Sequence, residues 1–182
     1  MNNRKTWLIG GLGAVAGGFL LYNTVKAQKP EKAEPITNFN KEKYLGKWYE
    51  IARFDYRFEK DMNNVTAEYS LRDDGKIRVF NRGYDTTERK FKSSTGKAKF
   101  RGDAQTAALK VSFFGPFYSG YNVVAIDKDY QYALVAGESL KYMWILSRTP
   151  SIPEHIKQQY LKLARSIGYA TEDLIWVEHD KQ

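Results

Sequence analysis

From about residue 39 onward, apolar and polar side chains alternate with a period of two in one short run after another. In "VTAEYSL", Val65, Ala67, Tyr69 and Leu71 fall on one face and Thr66, Glu68 and Ser70 on the other. "KIRVFNRG" sets Ile77, Val79, Asn81 and Gly83 against Arg78, Phe80 and Arg82. "GKAKF" sets Gly96, Ala98 and Phe100 against Lys97 and Lys99, and "LKVSF" sets Leu109, Val111 and Phe113 against Lys110 and Ser112. "YNVVAID" from Tyr121, "YQYALVAG" from Tyr130 and "YMWILSR" from Tyr142 continue the series, which "YLGKWYEIARF" (44–54) opens. A period of two is that of a half-buried strand, so the pattern predicts eight strands.

The punctuation between them is short: "RDDGK" (72–76), "GYDTTER" (83–89), "RGDAQT" (101–106), "DKDY" (127–130) and "GESLK" (137–141). Asp74-Gly75 is a hairpin signal. Short strands joined by short turns predict an antiparallel meander. A sandwich needs long crossing connections, and none is present. Eight meandering strands close into a barrel that is filled or holds one small ligand, and closure removes edges that invite aggregation. The expectation is therefore an all-β, eight-stranded antiparallel up-and-down barrel.

One helix is expected after it, over 152–167. Ser151 and Glu154 have capping-box spacing and Pro153 suits a first turn. Ile156, Tyr160, Leu163, Ala164 and Ile167 make one apolar stripe, which must pack on the barrel's outer wall. Gly168 ends the helix, and "DLIWVE" (173–178) reads as a short final strand.

The first forty residues are different. Arg4 and Lys5 precede an uncharged, mostly apolar run from Trp7 to Tyr22, followed by "TVKA" and the polar "QKPEKAEP". This order is that of an export signal, with a cut expected after Ala27. The run is also near the length that spans a bilayer, and Arg4 and Lys5 would then stay cytoplasmic. Either way residues 1–27 are a signal or an anchor that exports the rest, 28–38 a polar linker and 39–182 the barrel domain. "GLGAVA" (11–16) is no dinucleotide loop, because no strand precedes it.

Composition narrows the chemistry. The 182 residues hold no cysteine, which removes disulfides, thiolate nucleophiles, zinc–thiolate sites and lipid attachment through cysteine. Aromatic residues make up 15% of the chain, enough to line a cavity. Net charge is +8, and its basic residues alternate with acids, so the charge reads first as solubility and gives no nucleic-acid patch. Two histidines, His155 and His179, lie outside the expected barrel strands. No catalytic constellation, cofactor site or metal site is evident. An enzyme acting on a bound apolar ligand would have to use a carboxylate such as Glu50, with no second carboxylate paired to it.

Three segments in order, "GKWY" (46–49), "DKDY" (127–130) and "SRTP" (147–150), resemble the signature regions of the lipocalins. "GKWYEIARFD", "YSLRDDG", "ALKVSFFGPFYSGYNV" and "WILSRTP" resemble the bacterial, outer-membrane-lipoprotein type in particular. The resemblance covers 39–178, but the lipidated cysteine of that type is missing. It implies a fatty acid or lysophospholipid in the barrel, a role in membrane maintenance under stress, a location in the periplasm or outer membrane, and a homodimer as one assembly state.

The same resemblance implies structural roles for Gly46, Trp48, Tyr49, Asp127, Asp129, Tyr130 and Arg148. Trp48, which by itself reads as either a ligand contact or a plug, would close the narrow end with Arg148 laid across it. Arg148 then points inward, and Leu146 and Trp144 share its face. The other lining residues expected from parity are Tyr69, Ile77, Val79, Ala98, Phe100, Leu109, Val111, Phe113, Tyr121, Val123 and Leu134. Ala98, Ala125 and Ala136 are expected to leave space inside. Glu50 and Asn81 share inward parity, and Arg53, Arg57 and Lys60 are candidates for an anionic headgroup at the mouth. "FFGPFY" (113–118) is an apolar loop that suits a membrane, a partner subunit or the ligand tail.

Overall fold

The computed structural model describes residues 28–55 and 61–181. The signal or anchor segment, Arg57 and Lys60 lie outside the described residues.

The alternating runs form eight antiparallel strands: β1 (Gly46–Phe54), β2 (Met62–Leu71), β3 (Ile77–Asp85), β4 (Lys90–Phe100), β5 (Ala108–Ser112), β6 (Ser119–Ile126), β7 (Tyr132–Ala136) and β8 (Met143–Ser147). Each pairs with its sequence neighbour. β1 pairs with both β8 (Tyr49↔Ser147) and β2 (Trp48↔Ala67), so the sheet closes into a barrel. A ninth strand, β9 (Leu174–Trp176), adds to the outer part of β1 at Ala52–Phe54.

Two helices accompany the barrel. α1 (Lys41–Tyr44) is a single turn before β1, started by Asn40, whose side chain accepts from the Lys43 amide. α2 (Glu154–Ile167) follows β8 and buries Tyr160, Leu161, Ala164 and Ile167. It ends at Gly168, whose φ of 117° is left-handed, with its amide on the carbonyls of Ala164 and Arg165. The Ser151–Glu154 capping box does not form: Pro153 is the cap residue. Proline holds the residue before it in the extended region, so Ile152 cannot be helical and the helix starts after Pro153.

The β3–β4 hairpin is longer than the alternation indicates. "KFKSST" continues β4 upward to Lys90, and only Thr86–Arg89 turn. Apart from Phe91 its side chains are polar on both faces, which hides strand periodicity. Asp85 holds the turn, accepting from the amides of Thr87 and Glu88 at 2.9 and 2.7 Å.

Two apolar clusters divide the molecule. One fills the barrel; the other joins the outer faces of β1, β6, β7 and β8 to α2 and β9. The first packs the barrel interior, and the second fixes the barrel wall from outside.

Candidate functional site

The closed end is built around Trp48, which is 0% exposed. Its Nε1 donates to the Tyr44 carbonyl at 2.8 Å. The Arg148 guanidinium lies 3.8 Å from the centre of the indole. It also donates to the carbonyls of Lys43, Leu45, Lys47 and Tyr130 at 2.7–3.2 Å. One side chain thus ties α1, the start of β1 and the β6–β7 turn together across the indole. Gly46, at φ 91°, turns the chain into β1, and a Cβ there would sit 3.5 Å from Arg148 Nη1.

The "DKDY" turn has its own logic. The Asp127 carboxylate accepts from the amides of Asp129, Gln131 and Tyr132 at 2.6–3.0 Å. Asp129 contributes main-chain groups, its carbonyl accepting from Gln131 Nε2 at 2.9 Å. Tyr130, at φ 56°, receives the Asn40 amide on its hydroxyl at 2.8 Å. Tyr49 points outward, edge-on to His179 at 5.3 Å.

Eleven of the expected lining residues face inward: Tyr69, Ile77, Val79, Ala98, Phe100, Leu109, Val111, Phe113, Tyr121, Val123 and Trp144 all belong to the interior cluster. Burial separates them by depth. Near Trp48, Val123, Ala133, Val135, Leu146, Leu109 and Ile77 are closed off, at 0–5% exposure. Toward the other end Val111, Phe113, Tyr121 and Trp144 face inward yet keep partial exposure.

At that boundary three phenols converge. The Tyr121 hydroxyl lies 2.6 Å from that of Tyr44 and 2.8 Å from that of Tyr69. Tyr121 stacks on Trp144 with ring centres 6.3 Å apart, and Tyr44 packs on Trp48 at 5.0 Å. Burial pushes the Tyr44 and Tyr121 hydroxyls well above their ordinary pKa, so both stay neutral donors and acceptors. Asn81 also faces the upper interior, with its Oδ1 buried and unbonded among the described residues.

Three parity expectations are corrected. Leu134 faces outward into α2 with 0% exposure, and the inward residues of β7 are Ala133 and Val135. Both faces of β7 are covered, so its run is apolar throughout and carries no alternation. Ala136 faces the helix for the same reason. Ala125 faces it because a bulge between Val123 and Ala125 shifts the register of β6 and turns Ile126 inward instead. A second bulge, between Glu50 and Ala52, brings Arg53 inside rather than onto the first loop. Arg53 is 1% exposed and its Nη1 lies 3.0 Å from Glu50 Oε1.

These placements are testable as a pair. Leu134→Ala is expected to lower unfolding free energy by about 2–5 kcal/mol while leaving affinity for an apolar probe unchanged. Val111→Trp, which fills accessible space, is expected to weaken probe binding with little loss of stability. Denaturant unfolding and probe titration of both variants check the two faces, and a reversed pattern would overturn the assignment.

A closed, eight-stranded up-and-down barrel with an apolar and aromatic interior is the architecture of a carrier of small hydrophobic molecules. The lipocalin-like domain family profile matches residues 39–179. The chain belongs to the lipocalins, a family that binds small hydrophobic ligands and whose members are generally binding or transport proteins. It is 52% identical to the outer membrane lipoprotein Blc of Citrobacter freundii over 165 residues, 91% of this chain and 93% of that one. It is 48% identical to Blc of Escherichia coli (strain K12), with the same coverage. Among solved structures, the cockroach allergen Per a 4 superposes with a TM-score of 0.64 at 25% identity, covering 83% of this chain and 95% of that one.

Proposed function

We propose that the barrel carries one acyl chain, as a fatty acid or lysophospholipid, in the cell envelope, for membrane maintenance under stress. The observation that carries this reading is the partly exposed, apolar and aromatic inward set of Val111, Phe113, Tyr121 and Trp144, away from the buried residues around Trp48. A slender apolar chain suits such a pocket. The deeper residues Ile77, Val79, Ala98, Leu109 and Val123 pack the core beneath it. Asn81 is the polar group of the upper wall placed to meet a headgroup. The similarity to outer membrane lipoproteins supports an envelope location.

Fluorescent fatty-acid and lysophospholipid probes are expected to bind saturably and quench Trp144, and Trp144→Phe removes that part of the quenching. Each methylene added to the chain strengthens binding by about 0.8 kcal/mol until the tail reaches the Tyr44–Tyr121–Tyr69 hydroxyls. Longer chains then gain nothing. Absence of saturable uptake in both lipid classes would sink the proposal.

A further inference from the structure

We infer that the open end of the barrel docks on an anionic lipid bilayer through the β5–β6 loop. The first observation is where the chain enters. The Gln28 carbonyl accepts from Asn122 Nδ2 at 2.9 Å, and the same amide reaches the carbonyls of Ala136 and Gly137 at 3.1 and 3.3 Å. Gln28 runs so close to Gly120 that a Cβ there would fall 1.9 Å from the Gln28 oxygen. Gly137 begins the β7–β8 turn, which belongs to the open end. The segment then descends to the floor, pairing Ile36 with Val123 and Ala107, and Phe39 with Gln105. The apolar run ending at Tyr22 is thus joined to the open end by residues 23–27. Five residues reach at most roughly 20 Å. A bilayer holding that run lies within this distance of the open rim.

The rim has the matching surface. Phe114 is 67% exposed and Phe117 56%, in the β5–β6 loop, and Leu140 is 44% exposed in the β7–β8 turn. Beside the loop, Tyr118 sits against Lys97, Lys99 and Lys110 at 6.0, 5.3 and 5.3 Å. None of these lysines forms an ion pair among the described residues, and the rim's Asp85 and Glu88 are neutralised by Lys92 and Lys90. Exposed aromatics seat at a lipid–water boundary, and lysines beside them favour anionic headgroups. The closed end is unlike it: its turns mix Asp73, Asp74, Asp103, Asp127 and Asp129 with basic residues and, apart from Leu71 at 50%, expose no large apolar side chain and no aromatic ring. Docked this way, the mouth faces the bilayer and a lipid passes between cavity and membrane without crossing water.

Because the chain has no cysteine, one introduced thiol is labelled alone. The full chain carrying Pro116→Cys with an NBD label is reconstituted in phosphatidylethanolamine–phosphatidylglycerol vesicles. The expected result is a blue shift and quenching by spin-labelled lipid, while a label at Lys128→Cys, on the closed end, stays aqueous. Adding Phe114→Ser and Phe117→Ser abolishes the shift. Lys97→Gln, Lys99→Gln and Lys110→Gln together reduce it, as does replacing the anionic lipid with phosphatidylcholine. Thermal unfolding of each variant shows that the barrel is intact. Equal exposure of the two labels overturns the inference, as does shielding of position 116 that needs no vesicle and grows with protein concentration, the mark of a second copy. The readout is independent of what the barrel carries.

Discussion

Trp48→Ala is expected to lower the unfolding free energy by about 3–5 kcal/mol and to leave affinity for an apolar probe nearly unchanged. The indole is fully buried at the closed end, packed on Tyr44 at 5.0 Å and covered by Arg148 at 3.8 Å. Its removal leaves a cavity at the point where α1, β1 and the β6–β7 turn meet. It also strips the guanidinium of its stacking face, worth about 0.5–2 kcal/mol. The wall proposed to hold the ligand lies beyond the Tyr44–Tyr121–Tyr69 hydroxyls, so the loss does not reach it directly. For a chain of this size each kcal/mol moves Tm by about 2–4 °C, so a fall of more than roughly 6 °C is expected. Arg148→Met removes the cation and its carbonyl bonds and is expected to shift Tm in the same direction. Calorimetry and probe titration on both variants give the answer. An unchanged Tm with lost binding would make Trp48 a ligand contact.

Why the fold was legible and parts of the site were not comes down to which faces are covered. β3 and β5 each have one face toward the interior and one toward water, and their alternation places Ile77, Val79, Leu109 and Val111 inward without ambiguity. β7 is sandwiched between the interior and α2, so "YALVA" offers an apolar residue at every position and no clue to which side is which. The larger Leu134 looks like the better lining residue, but the helix needs that bulk and the interior takes Ala133 and Val135. The bulges after Glu50 and Val123 leave no mark in the sequence at all, since neither contains glycine or proline. The signature segments were readable because each is a local device: a glycine where the chain turns, an aspartate that collects three amides, an arginine whose reach spans the floor. The meeting of the three phenols needed the structure, because it depends on how far Tyr44, from a helix before the barrel, reaches toward Tyr121.

The Glu50–Arg53 pair should show the opposite of independent effects. Both side chains are buried, at 5% and 1% exposure, with Nη1 and Oε1 3.0 Å apart and Nη2 donating to the Met62 carbonyl at 3.1 Å. They are three residues apart and face the same way only because the bulge between Glu50 and Ala52 shifts the strand. Removing one side of a buried ion pair costs about 3–5 kcal/mol. Glu50→Leu and Arg53→Met are each expected to destabilise by about that much. The double variant replaces two charges by two apolar groups of similar volume and is expected to be far more stable than the sum of the single changes predicts. It should lie close to the parent chain. A double-mutant cycle by denaturant unfolding measures this coupling, and additive losses would show that the two charges do not stabilise each other. The same variants test whether Arg53 serves as an anion receptor. Enclosed by its ion pair, Arg53 is expected to matter equally for a fatty-acid probe and for an uncharged probe of the same chain length. A selective loss of the anionic probe in Arg53→Met would instead place a carboxylate against the guanidinium.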